Sequence, residues 1–348
     1  MNESHSLIKP PRLRAGDTVC AISLSSGAAG ALPHRFEQGK RQLAEAFDLR
    51  IVEAPHARAD DDWLYHNPEA RADDLNWALL EPEVKGIVSV IGGDDSVRIL
   101  PFVDHELIRT NPKVFMGFSD ATVTLTAFRR AGVVAFHGPA VMTDLAENGG
   151  IRPFVLRSVR RTLFEAWAGP LEYATEWTEQ FIDWRDPALL GRPRHFVPNE
   201  GPAWLQGEEA VEGPLVGGNI EVLEFLKGTR WWLDDEHWDG AVLCIETSEE
   251  APSVEAVKRY LRNYGSQGVL DRVVALLLAR PQHYTQRDRW RLHEGVTQVL
   301  AEFGRHDMPV VANLDFGHTS PQMVLPLGCQ LRVDCSERTL VLLEPGVS

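Results

Sequence analysis

The sequence predicts an α/β protein whose first half forms a doubly wound parallel sheet with helices on both faces. Three observations point there. Short Val- and Ile-rich runs alternate with amphipathic helical stretches through the first half, the pattern of strands buried under crossover helices. At 348 residues the chain is too long for one ordinary hydrophobic core, which calls for two domains. With 44% apolar and 24% charged residues it has the make-up of a folded globular chain rather than a disordered one.

In chain order, Asp17–Leu24, Leu49–Glu53, Val84–Ile91, Lys113–Met116 and Val133–His137 read as buried strands, being short, β-branched and bounded by Gly, Asp or Pro. Between them Arg35–Phe47, Glu69–Leu80 and Ala121–Ala131 carry helical spacing, the last stopped by Gly132. From Phe164 to Gly201 the pattern dissolves into a stretch rich in Trp, Pro and charge, read as a linker that also lines something. Regular elements then return. Gly240–Glu246 and Arg272–Ala279 are strands, Ser253–Asn263 and Arg289–Phe303 are helices, and Ser253 caps the first helix. Met308–Asn313 precedes a hairpin of Gln330–Cys335 and Thr339–Glu344 that turns at Ser336–Arg338. The expected division is an N-terminal domain over 1–165, a linker over 166–200 and a C-terminal domain over 201–348.

Charge and cysteine content exclude several classes. Fifty acidic against 35 basic residues give a formal charge of −15, which repels phosphate backbones and anionic lipid, so neither nucleic acid nor membrane is an expected partner. Apolar runs such as Val273–Ala279 are too short for a span, and Met1–Arg14 lacks the apolar core of a secretory signal. A cytoplasmic location is therefore expected. Cys20, Cys244, Cys329 and Cys335 form no C-x-x-C pair, so neither disulfides nor a metal site is anticipated.

Two strand ends carry candidate chemistry. In Gly117–Phe118–Ser119–Asp120 a buried strand meets a helix within about two residues, which puts Ser119 at the apex of a sharp turn at the carboxyl end of a parallel sheet. The same residues also suit a plain helix cap. In Ile91–Gly92–Gly93–Asp94–Asp95–Ser96, paired glycines permit close backbone approach and an N–H aimed at an oxyanion. Ser96 competes there with Ser119 for the role of nucleophile, and a turn with a helix cap is the alternative. Ser25–Gly30 is either a phosphate loop or a surface loop. Glu246 ends an apolar strand, where a partly buried carboxylate can hold an imidazole in one tautomer; Glu249 and Glu250 read as solvated charges. His318, beyond Met308–Asn313, has the best loop context of the 12 histidines, with His137 as runner-up or packing residue. Gly217–Gly218–Asn219 opens a helical stretch, either as a cap or with the Asn219 amide aimed into a cleft.

Together, Pro10–Pro11–Arg12–Leu13–Arg14–Ala15–Gly16–Asp17–Thr18, Ile91–Gly92–Gly93–Asp94–Asp95, Gly117–Phe118–Ser119–Asp120, Gly217–Gly218–Asn219, Ile245–Glu246 and Phe316–Gly317–His318 follow one order across nearly the whole chain. In that order they resemble the serine peptidase family of cytosolic muropeptide LD-carboxypeptidases and microcin C self-immunity proteins. The resemblance implies a C-terminal domain with its own mixed sheet, an active site between the two domains, and homodimers. It implies Ser119 as nucleophile, His318 as base, Glu246 as the acid orienting it, and the N–H groups of Gly93 and Asp120 as oxyanion hole, with no metal or organic cofactor. It also resolves Ser96 against Ser119.

Two departures point within the family. Ile91 stands where the muropeptidase branch carries Arg, and Gly93–Asp94–Asp95 replaces its Gly-Tyr-Gly. Both resemble the immunity-protein branch, which cleaves the amide between a peptidyl or aminoacyl group and a nucleotide-like moiety. In that branch a central Trp stacks on the base, and Trp184 is the positional match; packing against the linker is its other reading. Asp94, Trp184 and Asn219 are the expected substrate contacts, and a small peptide or aminoacyl-nucleotide is the expected partner. A muropeptide LD-carboxypeptidase is the second expectation. A non-catalytic small-molecule binder is the third, and the joint presence of Ser119, Glu246 and His318 argues against it.

Overall fold

The computed structural model describes residues 7–348. Its first sheet has six strands in the order Leu325–Leu327, Ala135–His137, Val114–Gly117, Val84–Ser89, Thr18–Ile22, Arg50–Glu53. The five N-terminal strands are all parallel, and Thr18–Ile22 is buried at every position, which is why its sequence is a continuous rather than an alternating apolar run. Helices Pro33–Phe47, Pro68–Leu80 and Thr122–Arg130 connect these strands. The first two begin on proline, which suits a first turn because its missing N–H needs no partner there. Five expected strands and three expected helices all form, with ends within two residues of the reading from periodicity.

The second sheet is mixed and has eight strands, in the order Gly169–Pro170, Thr339–Leu342, Gln330–Asp334, Ala210–Asn219, Val242–Glu246, Ala275–Ala279, Val310–Leu314, Ala203–Gln206. The four from Ala210–Asn219 to Val310–Leu314 are parallel to one another. Helices Val254–Ser266 and Gln286–Glu302 link them, and the Ser253 side chain accepts from the Ala256 N–H as the expected cap. Ala210–Asn219 escapes the periodicity because Gly213, Pro214, Gly217 and Gly218 interrupt it. Gly217–Gly218–Asn219 ends this strand and leads into helix Ile220–Leu226.

Neither sheet follows a single cut in the chain. Leu325–Leu327, from the C-terminal part, adds antiparallel to Ala135–His137 in the first sheet. Gly169–Pro170, in the expected linker, pairs with Val341–Leu342 at the edge of the second. Each covers a strand edge whose backbone groups need partners. The rest of the linker stretch is also built in: Glu176–Trp177 pairs with Val197–Pro198, and Thr178 exchanges two backbone hydrogen bonds with Ser320. Among the described residues no helix is long and apolar enough to cross a membrane.

A buried ion pair fastens this central stretch to the second sheet. The side chains of Arg280 and Asp315 are 3% and 1% exposed, with Nη2 and Oδ1 2.8 Å apart. Asp315 Oδ2 accepts from the Ala174 N–H at 2.8 Å and Oδ1 from Asn199 Nδ2 at 3.1 Å, while the Arg280 guanidinium lies 4.8 Å from the Trp177 ring centre. Removing one member leaves the other charge buried and unpaired, so Asp315→Ala should lower the free energy of unfolding by about 3–5 kcal/mol. Urea denaturation followed by tryptophan fluorescence measures this loss.

Candidate active site

Strand Val114–Gly117 runs into Phe118 and then into the tight turn Ser119–Ala121 that starts helix Thr122–Arg130. Reversing direction in so few residues puts Ser119 at φ +59°, a left-handed conformation that a non-glycine residue holds only when its surroundings enforce it. Gly92 is part of that enforcement. A Cβ on it would lie 2.7 Å from Ser119 Cβ, so only glycine lets the loop close over the serine. The buried Asp120 carboxylate braces the turn, Oδ2 accepting from Ser25 Oγ at 2.6 Å and from the Ser96 N–H at 2.8 Å. Burial pushes the Asp120 carboxyl above its ordinary value. Ser96 is buried, and its hydroxyl donates to the Asp120 carbonyl, so it serves as a brace rather than an exposed hydroxyl. The loop at Ser25 has the same bracing part.

Glu246 ends strand Val242–Glu246, and His318 follows strand Val310–Leu314, both at carboxyl ends of parallel strands. The chain passes so close to Glu246 that a Cβ on Gly317 would lie 2.7 Å from Glu246 Cβ, and Gly317 has φ +84°. His318 Nδ1 is 2.6 Å from Glu246 Oε2, and His318 Nε2 is 3.1 Å from Ser119 Oγ. One imidazole thus spans a hydroxyl from the first sheet and a carboxylate from the second. Burial works against charge on the ring, but the Glu246 and Glu249 carboxylates outweigh it and hold His318 above the usual imidazole range. Burial likewise disfavours charge on Glu246, yet His318 holds it below the usual carboxylate range. His137 is buried on the far side of Glu246, with Nε2 3.9 Å from Oε1, and its ring meets Phe118 and Phe316 edge-on. It packs there without touching Ser119.

Ser119 and His318 line a cavity of about 370 Å³, together with Ile91, Gly93, Phe181 and Trp184. Among the described residues nothing accepts from the Gly93 N–H, and the Asp120 N–H lies just behind Gly92. One face of the Trp184 ring carries the Arg35 guanidinium 4.5 Å from its centre, and Phe181 leans on it at 5.8 Å. Two expected contacts are not among the residues that line this cavity. Asp94 is exposed and is not part of the cavity wall; its neighbour Asp95 instead pairs with the buried Arg71 at 2.9 Å. Asn219 is also absent from the wall; its Oδ1 accepts from the Val222 N–H at 2.9 Å as a helix cap, while its buried Nδ2 has no partner among the described residues. Glu249 has the exposure of a solvated charge, and its Oε2 also lies 3.1 Å from His318 Nε2, a contact the sequence reading did not anticipate. The signal for it was its place on the same short loop as Glu246. Phe181 and Glu179 had no sequence signal beyond lying near Trp184.

Residues 19–138 match the LD-carboxypeptidase N-terminal domain and residues 212–333 the LD-carboxypeptidase C-terminal domain. The chain belongs to the LD-carboxypeptidase family. It is similar to the microcin C7 self-immunity protein MccF of Escherichia coli, with 29% identity over 352 residues, covering 100% of this chain and 99% of that one. Two solved structures of MccF are similar throughout. The complex with aspartyl sulfamoyl adenosine has a TM-score of 0.85 at 27% identity, covering 98% of this chain and 100% of that one. The complex with glutamyl sulfamoyl guanosine has a TM-score of 0.84 at 26% identity, covering 98% and 99%.

The contact between Glu246 and His318 sets a measurable titration. NMR of the His318 ring should show it losing its proton well above the range of ordinary histidines, and Glu246→Gln should bring that midpoint down.

Proposed function

We propose that this protein is a serine hydrolase that cleaves the amide of an aminoacyl- or peptidyl-nucleotide through an acyl-enzyme. The observation that carries the reading is the single imidazole bridging Ser119 Oγ at 3.1 Å and Glu246 Oε2 at 2.6 Å. In this reading Ser119 attacks the carbonyl while His318 Nε2 takes its proton, and Glu246 steadies the imidazolium that forms. His318 returns the proton to the leaving nitrogen, then activates a water to release the acyl group. The N–H groups of Gly93 and Asp120 bind the developing oxyanion, a role in keeping with the glycine-lined approach to Ser119. The helix starting at Thr122 adds its positive end behind the nucleophile.

The nucleotide preference rests on the cavity wall and on the ligands of the similar MccF structures. Ile91 offers the cavity no charged donor for an anionic peptide, whereas Trp184 and Phe181 offer aromatic area to a base. Both an adenosine and a guanosine derivative are bound by MccF, as expected where aromatic contact outweighs base-edge readout.

Replacing Ser119 with alanine should abolish turnover and fluorophosphonate labelling while leaving the thermal melt within a few degrees of wild type, since only one hydroxyl is lost. Retained turnover would remove the acyl-enzyme reading. On one enzyme preparation, kcat/KM should be higher for an aminoacyl-sulfamoyl adenosine than for a muropeptide tetrapeptide. Trp184→Ala should raise KM mainly for the adenosine compound, by about tenfold. A faster tetrapeptide, or an equal effect of Trp184→Ala on both, would favour muropeptide carboxypeptidase activity instead.

A further inference from the structure

Glu249 stands outside the proposed triad, yet its carboxylate reaches the working nitrogen of the base. Its Oε2 is 3.1 Å from His318 Nε2, the atom that also faces Ser119 Oγ at 3.1 Å. The Glu249 side chain is 63% exposed and lines the cavity, so a ligand there meets it directly.

The cationic side chains of the cavity wall are engaged with groups other than Glu249. Arg194 is committed to Glu147 and Asp144, and Arg35 donates to the Met142 carbonyl and to Asn148. Glu179 accepts from the His283 N–H. Among the described residues no Arg or Lys pairs with Glu249 or Glu179, and no lysine lines the cavity. Ser119 Oγ and Glu249 Oε2 each lie 3.1 Å from His318 Nε2, so the α-carbon substituent of a carbonyl held at Ser119 can reach Glu249.

We propose that Glu249 is a specificity-determining residue that recognises the free α-ammonium group of an aminoacyl substrate over the acylated α-nitrogen of a peptidyl one. The inference rests on the acyl-enzyme reading above. Before substrate binds, Glu249 and Ser119 share His318 Nε2, and the carboxylate favours the protonated ring. An incoming ammonium gives Glu249 another partner. The Nε2 proton then passes to solvent, and the neutral ring accepts the proton of Ser119. The same contact holds the Glu249 carboxyl below its ordinary value and helps hold His318 above its own. The other groups facing the ring are Glu246 and the edge of Phe118, and these do not change when the acyl group does.

The test compares an aminoacyl-sulfamoyl adenosine with its α-N-acetyl derivative on wild type, Glu249→Gln and Glu249→Lys, with Ser119→Ala as blank. Wild type should favour the free amine by on the order of tenfold in kcat/KM. Glu249→Gln should bring that ratio towards one, and Glu249→Lys should reverse it; matched thermal melts show that all variants are folded. A wild-type ratio at or below one, or an unchanged ratio in Glu249→Gln, overturns the assignment while the hydrolase reading stands on the inert Ser119→Ala. Turnover by Ser119→Ala, or no turnover of either compound by wild type, overturns the hydrolase reading and this assignment with it.

Discussion

A carboxylate with no exposed side-chain surface is tolerated only beside a cation or several donors, and Glu246 is such a group. Its partner is His318 at 2.6 Å, and much of the surrounding architecture serves that approach. The chain must cross directly over Glu246, which it does at Gly317, where no side chain fits. Just upstream, Asp315 is locked to Arg280, and just downstream Ser320 exchanges backbone hydrogen bonds with Thr178. The loop that carries the imidazole is therefore clamped on both sides, and the clamps recruit the central stretch of the chain. Residues that look like a connector by composition become a structural wall of the cavity.

The turn at Ser119 belongs to the other sheet, so two independently built frames must meet to within a hydrogen bond. Strand Leu325–Leu327 supplies the mechanical link. Only a few residues after His318 the chain enters the first sheet, with Leu325 opposite His137 on the strand next to the one that ends at Ser119. His137 in turn packs against Glu246 from behind. On the far side, the Asn219 N–H donates to Thr122 Oγ1 at 3.0 Å, joining the end of a second-sheet strand to the helix behind Ser119. Short covalent paths and buried contacts of this kind leave little freedom in the distance between His318 and Ser119.

What the sequence discloses follows from which forces are local. Thr18–Ile22 is legible because burial on both faces writes a nearly continuous apolar run, and the helix at Val254 is legible because Ser253 caps it. Ser119, Glu246 and His318 stand out because each follows or ends such a strand. Ala210–Asn219 is illegible because its glycines answer to tertiary crowding: a Cβ on Gly213 would meet the Gly240 carbonyl, and one on Gly218 the Thr122 side chain. Polar residues beside glycines at strand ends carry a mixed signal. Asn219 Oδ1 satisfies a helix terminus while its buried Nδ2 has no partner among the described residues, and at the other turn it is Asp95 that steadies a buried arginine. Only the three-dimensional arrangement separates these uses.

Burial also separates two glutamates that stand close together in the chain. Glu246 and Glu249 lie three positions apart on one loop and approach opposite nitrogens of the same ring. Water cannot screen Glu246, so its attraction for the imidazolium is strong and its position fixed, the property needed to orient a base. At 63% exposure Glu249 is screened and can trade its partner at small cost. A fixed charge at Nδ1 and an exchangeable one at Nε2 make the ring sensitive to what enters the cavity from one side only. The side that can respond is the side that faces Ser119 and the cavity.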